Sequence, residues 1–130
     1  MKRMLVPLLL IHGLWLSPVQ ATEPPGGGIL LRCGGIGDEE SEPMRAEAGR
    51  HALMILFADA GGSWITDVAT RIEDTFTGAQ AEALCGPIAL VDVPAPGRYR
   101  IVATYLEQSQ ERWLNLKPAA GSRLVLRWAQ

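Results

Sequence analysis

The feature that most constrains the fold is a two-residue alternation of apolar and polar side chains, which runs from His51 to the end of the 130-residue chain. In RYRIVATY, for example, Tyr99, Ile101 and Ala103 fall on one face. Successive side chains of a strand point to opposite faces of a sheet, so this period is typical of strands with one buried face. Turn sequences such as DAGG and PAPG separate these runs about every 8–12 residues. The pattern predicts an antiparallel β-sandwich of six or seven short strands.

The segment before these strands has a different pattern. ILLRC is a short apolar run that we predict as a first edge strand, and DEESEPMRAEAGR follows with its acids early and its arginines late. The helix macrodipole stabilises that charge order. Pro43 opposes a helix, since past the first turn its ring removes a backbone hydrogen bond. On balance we predict one short N-terminal helix from about Asp38 to Ala48.

The chain begins with the composition of a secretory signal. MKRM is basic, LVPLLLIHGLWL is an interrupted apolar run, and SPVQA ends in small residues. The apolar run is shorter than the roughly 20 residues that a membrane-spanning helix needs. We therefore predict a signal peptide at residues 1–21, a flexible segment at 22–28 and one domain at 29–130. The mature protein is expected in the periplasm, with no membrane span.

Two cysteines, Cys33 and Cys85, lie in the predicted domain. In an oxidising compartment an even count favours a disulfide over free thiols. The bond would link residues 85 − 33 = 52 positions apart, and closing such a loop contributes about 4 kcal/mol in the chain-entropy model. Structural zinc sites need paired Cys or His spacings that this sequence lacks, with His51 as the lone histidine of the predicted domain. We predict a Cys33–Cys85 disulfide.

Several segments resemble the carboxypeptidase regulatory-like domains, which have a transthyretin-like (prealbumin-like) Greek-key β-sandwich. These are TDVATRIEDTFTG, LVDVPAPGRYRIVATY and the closing RLVLRW. In addition, GGIGDEE followed by ALMILFADAGGSWITDV resembles a group of small exported proteobacterial proteins that carry this domain alone. Val93 replaces the leucine that the family usually has before its turn proline. The resemblance implies this fold for nearly the whole mature chain, but it implies little about activity.

The residues for catalysis are sparse. His51 is the one side chain of the predicted domain whose ordinary pKa lies near neutrality, and no serine stands beside it. The transthyretin-like branch that hydrolyses hydroxyisourate uses several histidines and a C-terminal Tyr-Arg-Gly-Ser motif, whereas this chain ends LRWAQ. We predict no catalytic residue, no cofactor and no metal ligand. The net charge of −2 and the scattered arginines exclude nucleic acid as a partner.

Binding is the function class that the sequence favours. Asp38, Glu39, Glu40 and Trp113 are the candidate interaction residues, the acids at the helix start and Trp113 outward on its strand. We expect a non-catalytic accessory module that binds another envelope protein through a strand edge or the acidic loop. The alternative is an ion or small ligand held by residues 38–42, since calcium takes six to eight oxygens. GGIG could cradle a phosphate, but the adjacent acids would repel it.

Overall fold

The computed structural model describes residues 28–129. The predicted signal peptide and residues 22–27 of the predicted flexible segment lie outside the described residues. Strands account for 54% and helices for 12%, so the protein is mainly β as predicted. The elements are β1 (Leu30–Gly34), α1 (Asp38–Ala46), a 3-10 turn (Ala48–Arg50), β2 (Leu53–Asp59), β3 (Val68–Glu73), β4 (Gln80–Cys85), β5 (Ile88–Asp92), β6 (Gly97–Tyr105), β7 (Gln108–Leu116) and β8 (Ser122–Trp128).

The strands form two four-stranded sheets that pack as a β-sandwich. The first sheet has the order β1-β5-β2-β8 and the second has the order β4-β3-β6-β7. The second sheet is antiparallel throughout, whereas in the first sheet β2 and β8 run parallel. The prediction of a purely antiparallel sandwich was therefore wrong for this one pair.

The described residues contain eight strands, one more than the upper prediction of seven. The strand that the sequence pattern missed is β4. Its core-facing side chains are the small Ala81 and Ala83, and its largest apolar side chain, Leu84, is 67% exposed. In β4 the bulkiest apolar side chain thus faces outward, so an alternation read from bulky apolar residues assigns the core to the wrong face of this strand.

The space between the sheets holds the main core. In β2, Leu53, Ile55 and Phe57 are fully buried, and in β6 Ile101 and Ala103 are fully buried, as the alternation predicted. The alternation in RLVLRW predicts that Trp128 points inward, and this is confirmed, because its side chain is 2% exposed and lies within the core cluster. The core therefore follows the period-two pattern closely.

A second, smaller core lies on the outer face of the first sheet. Met54 and Leu56 of β2 and Ile88 and Leu90 of β5 point to that face and are covered by Met44 of α1. Strand β2 is thus buried on both faces, which explains why the sequence LMILFA has no polar residue. The helix begins at Asp38 as predicted and ends two residues early, passing into the 3-10 turn.

Both long corners of the sandwich are closed. At one corner, edge strands β1 and β4 are joined by the predicted disulfide between Cys33 and Cys85, whose Cα atoms are 4.8 Å apart. At the other corner, the Trp128 indole N–H donates to the Gln108 carbonyl at 2.9 Å. Within the described chain, no helix is long and apolar enough to cross a membrane.

Two connections differ from the predicted turns. The sequence EQSQ predicts a hairpin turn at residues 107–110, whereas the β6–β7 hairpin turns slightly earlier, at Leu106 and Glu107, both with positive φ. The alternation in WITDVATRIED predicts a strand that begins at Trp64, but β3 begins only at Val68. Trp64 instead lies in the β2–β3 loop and makes a single bridge to Ala58.

Candidate functional site

The glycine loop between β1 and α1 is filled by a side chain of this chain. Gly35 and Ile36 donate their backbone N–H groups to Oε1 of Glu40, at 2.8 and 3.0 Å. Glu40 is the third residue of α1, the position from which a glutamate reaches back to the chain before a helix. The backbone donors that a bound phosphate would use are therefore already engaged. Glu40, a predicted interaction residue, stabilises the loop.

Close packing explains why glycine occupies this loop. Gly35 has φ +95, a region that L side chains rarely adopt, and a Cβ there would lie 2.7 Å from the Ile88 side chain. A Cβ on Gly34 would lie 3.0 Å from the carboxyl carbon of Glu40. Gly35 is therefore required, whereas a Cβ on Gly34 would need the Glu40 side chain to shift, and close packing accounts for these glycines without a ligand.

The other predicted acids are free to contact a partner. Asp38 and Glu39 are exposed in the first turn of α1, and within residues 28–129 neither carboxylate makes an ion pair. Across the same residues, no group of three or more His, Cys, Asp or Glu side chains is arranged to hold a metal ion.

Trp113 lies on the outer face of the second sheet, as its predicted outward orientation requires. Its side chain is 41% exposed, and the guanidinium carbons of Arg98 and Arg100 lie 4.9 and 5.9 Å from its ring centroid. These are cation–π distances. Since α1 covers the outer face of the first sheet, Trp113 and the acids occupy opposite sides of the sandwich. The structure does not bring these predicted interaction residues together.

A groove beside α1 lies next to the predicted acids. We call it the α1–Trp64 groove; its volume is about 430 Å³. It is lined by Gly35, Gly37, Asp38, Ser41, Glu42, Arg45, Trp64 and Pro87. The first turns of α1 form one wall, and Trp64 and Pro87 form the other. Loops at the end of a rigid sandwich are common positions for binding sites.

Trp64, which the sequence pattern assigned to a strand, is the aromatic side chain of this groove. It is 50% exposed, and the guanidinium carbon of Arg45 lies 5.2 Å from its ring centroid. Arg45 is stacked on the indole and, within the described part of the chain, pairs with no carboxylate. Glu42, three residues before Arg45 on α1, likewise makes no ion pair in the described residues. The groove thus combines an accessible aromatic surface with unpaired charges.

A second concave surface lies on the outer face of the second sheet, with a volume of about 380 Å³. Its two charged lining residues, Arg71 and Glu82, pair with each other, and Arg71 also contacts Glu73 beside the surface. This surface therefore has fewer charges available for a partner than the α1–Trp64 groove.

His51 lies in a network of charged groups that we call the His51 clamp, made of Arg32, Glu47, His51 and Asp92. The His51 Nε2 atom is 2.9 Å from Oε1 of Glu47, and its Nδ1 atom is 3.0 Å from both carboxylate oxygens of Asp92. Arg32 of β1 also donates to Glu47. The His51 side chain is 16% exposed, so the ring is largely buried between the two carboxylates.

The clamp shifts the pKa values of two of its members. Burial lowers the pKa of His51, but hydrogen bonds to and charges on Glu47 and Asp92 outweigh it, so the pKa rises above 6.5. Hydrogen bonds from His51 and Arg32 lower the pKa of Glu47 below 4.5. Both ring nitrogens of His51 face carboxylates and not a hydroxyl or thiol nucleophile. The spacing of Glu47 and His51, four residues apart, was visible in the sequence, whereas the contact with Asp92 was not.

The exposed strand edges are the other surface that the sequence proposed for binding. At the disulfide corner, Leu30 of β1 is 56% exposed and Leu84 of β4 is 67% exposed. At the tip of the β3–β4 hairpin, Phe76 is 97% exposed. These apolar side chains are dispersed along the molecule, while the α1–Trp64 groove concentrates aromatic surface and charge in one place.

Comparison with known proteins adds no family to this geometry. No family model matches the chain, and no curated protein matches it either.

Proposed function

We propose that the protein is an exported, non-catalytic binding module of the periplasm, built on a transthyretin-like sandwich of the carboxypeptidase regulatory-like type. The signal-like sequence at residues 1–21 supports export. The Cys33–Cys85 disulfide supports it independently, because such bonds persist in oxidising compartments. Two packed four-stranded sheets and the motifs quoted above support the family assignment.

The observation that carries the binding proposal is the α1–Trp64 groove. Tryptophan and arginine are enriched at the contacts that dominate protein interfaces. Here a half-exposed Trp64 lies beside Asp38 and Glu42, whose carboxylates have no ion-pair partner in the described residues. The partner is a segment of another envelope protein that presents an arginine or lysine. Its cation pairs with the two carboxylates, and its stem packs on the part of the half-exposed indole that Arg45 leaves accessible.

The direct test is a titration of the isotope-labelled protein with short peptides, followed through the indole N–H resonances of its tryptophans. An arginine-containing peptide is expected to shift the Trp64 resonance, and a peptide with glutamate in place of arginine is not. The shift should weaken in 0.5 M salt and in the Asp38→Asn, Glu42→Gln variant. Equal shifts from both peptides, or a shift that the variant retains in full, would contradict the proposal.

A crosslinking experiment in cells tests whether the groove is occupied by a protein. A photoreactive amino acid replaces Glu42 at the groove or, as the matched control, Glu111 on the other sheet. A discrete crosslinked species formed from position 42 and absent from position 111 supports the proposal. The same products from both positions would show that the groove has no special role.

A further inference from the structure

The His51 clamp joins two elements that no continuous ladder of hydrogen bonds connects. Glu47 is the residue that ends α1, and Asp92 is the last residue of β5. Between them, the imidazole of His51 contacts both carboxylates at 2.9–3.0 Å. The ring therefore ties the C-terminal end of α1 to the sheet on which the helix lies.

The chemistry of these contacts depends on the protonation of one group. An ionised carboxylate only accepts hydrogen bonds, and a neutral imidazole has a single N–H, whereas an imidazolium has two. With carboxylates on both sides, only the imidazolium donates to Glu47 and Asp92 together. When the proton is lost, one ring nitrogen presents a lone pair to a carboxylate oxygen, and that contact becomes repulsive.

Besides the clamp, a small number of described contacts hold α1 in place, and one of them is the stacking of Arg45 on Trp64. Met44 is the one buried residue of the helix. Near its start, Glu40 is bonded to Gly35 and Ile36. At its end, the contacts are those of Glu47 with Arg32 and His51. Weakening the end contacts therefore affects the end of the helix after Met44, which includes Arg45 of the groove.

We propose that the His51 clamp is a proton-dependent latch that holds the C-terminal end of α1 against the sheet when His51 is protonated and loosens it when the proton leaves. The opening and closing of the latch do not depend on the proposed function. Its effect on partner binding does rest on that function, because α1 is a wall of the α1–Trp64 groove. A partner that binds the groove while α1 is held against the sheet binds more tightly at mildly acidic pH than at alkaline pH.

The charged groups around the ring set the pH range of the latch. The charged groups that face His51 are Glu47 from the end of α1 and Asp92 from β5, and Arg32 of β1 reaches Glu47 from the other side. The loop before β8 contacts only the backbone, where Gly121 donates to the His51 carbonyl. These contacts lie within the described residues.

The sign of the pH dependence follows from the two shifted groups. The raised pKa of His51 means that its contribution is complete below about 6.5, the ordinary value, and disappears as pH rises through the folded-state value. The lowered pKa of Glu47 means that its contribution is present above about 4.5 and disappears as pH falls through its folded-state value. The latch is therefore strongest at mildly acidic pH and opens on the alkaline side.

The test is amide hydrogen exchange of the isolated protein between pH 5.5 and 8.5, corrected for intrinsic exchange. Amides in the last turn of α1 are expected to lose protection as pH rises, by up to tenfold for each unit by which the His51 pKa is raised. Amides of β3 and β6 are expected to stay unchanged. In His51→Gln, the protection of α1 should be low and independent of pH. Wild-type protection that does not change with pH would overturn the latch.

A second measurement covers the case in which His51→Gln fails to fold. The ring nitrogen shifts of wild-type His51 are expected to show an imidazolium at pH 6.5, and Asp92→Asn should lower the pKa of that ring. A ring already neutral at pH 6.5 would overturn the proposal. Neither measurement uses a partner, so failure of the latch and failure of groove binding are distinguished by separate data.

Discussion

The two outer faces of the sandwich differ in what covers their side chains. The outer face of the first sheet carries Met54, Leu56, Ile88 and Leu90, and it is covered by α1. The outer face of the second sheet is open, and it carries arginines and glutamates that pair with one another across the strands. On the open face, the charged side chains thus pair with one another. The covered face packs against α1, and this helix carries carboxylates that have no ion-pair partner in the described residues. This difference places the available charge beside Trp64.

The disulfide stabilises the packing of the two sheets because it joins an edge strand of one to an edge strand of the other. Replacing Cys33 and Cys85 together by serine is expected to lower the free energy of unfolding by about 4 kcal/mol, the chain-entropy value for a separation of this size. Urea denaturation, with the slope compared as well as the midpoint, measures the loss. The wild-type protein unfolded in excess reductant is the matched control and should lose a similar amount. An unchanged midpoint would show that the two sheets hold together without the bond.

The burial of the two faces is tested by a matched pair of leucines. Leu56, on the covered face, is fully buried, and Leu84, on the open face, is 67% exposed. Leu56→Ala should destabilise the protein by about 2–5 kcal/mol through lost burial and a new cavity. Leu84→Ala should change the free energy of unfolding by less than about 0.5 kcal/mol. Thermal or urea unfolding gives both values, and equal losses would contradict the assigned faces.

The glycine loop that leads to the covering helix is tested by two neighbouring acids. Glu40→Ala removes the acceptor of two backbone N–H groups, one of them on buried Gly35, and is expected to cost about 1–3 kcal/mol. Glu39→Ala, at an exposed position of the same turn, should stay within about 0.5 kcal/mol of wild type. Urea midpoints distinguish the two variants. A larger loss for Glu39→Ala would show that Glu39, and not Glu40, stabilises the loop.

The same contrast explains how far the sequence alone could reach. Period-two alternation predicted β2, β6 and β8 because their bulky side chains point inward, and it missed β4 because Leu84 points outward. The cysteines were predictable as a pair from their even count and from the oxidising compartment that the signal-like sequence predicts. The function of Glu40 was not, since a run of acids at a helix start does not indicate which of them folds back.

The candidate site required the folded topology. Trp64 lies 22 positions after Glu42, and no local pattern places the two residues in one groove. Asp92 lies 41 positions after His51, so the second carboxylate of the clamp becomes visible only when β5 is placed beside the residues that precede β2. Long-range contacts of this kind depend on strand order, which periodicity does not specify.

The smallest expected effect concerns the acids that distinguish the covered face. Asp38, Glu39 and Glu42 have no ion-pair partner in the described residues, so they are the side chains with which calcium would bind. Calcium takes six to eight oxygens, and Glu40 is already engaged by backbone donors. Millimolar calcium is therefore expected to leave the Tm within about 1 °C of its value in chelator, as for magnesium. A calcium-specific rise that disappears in Asp38→Ala, Glu39→Ala would replace the groove proposal with ion binding at residues 38–42. The unpaired acids would then be ligands of a metal and not the contact surface for a cationic partner.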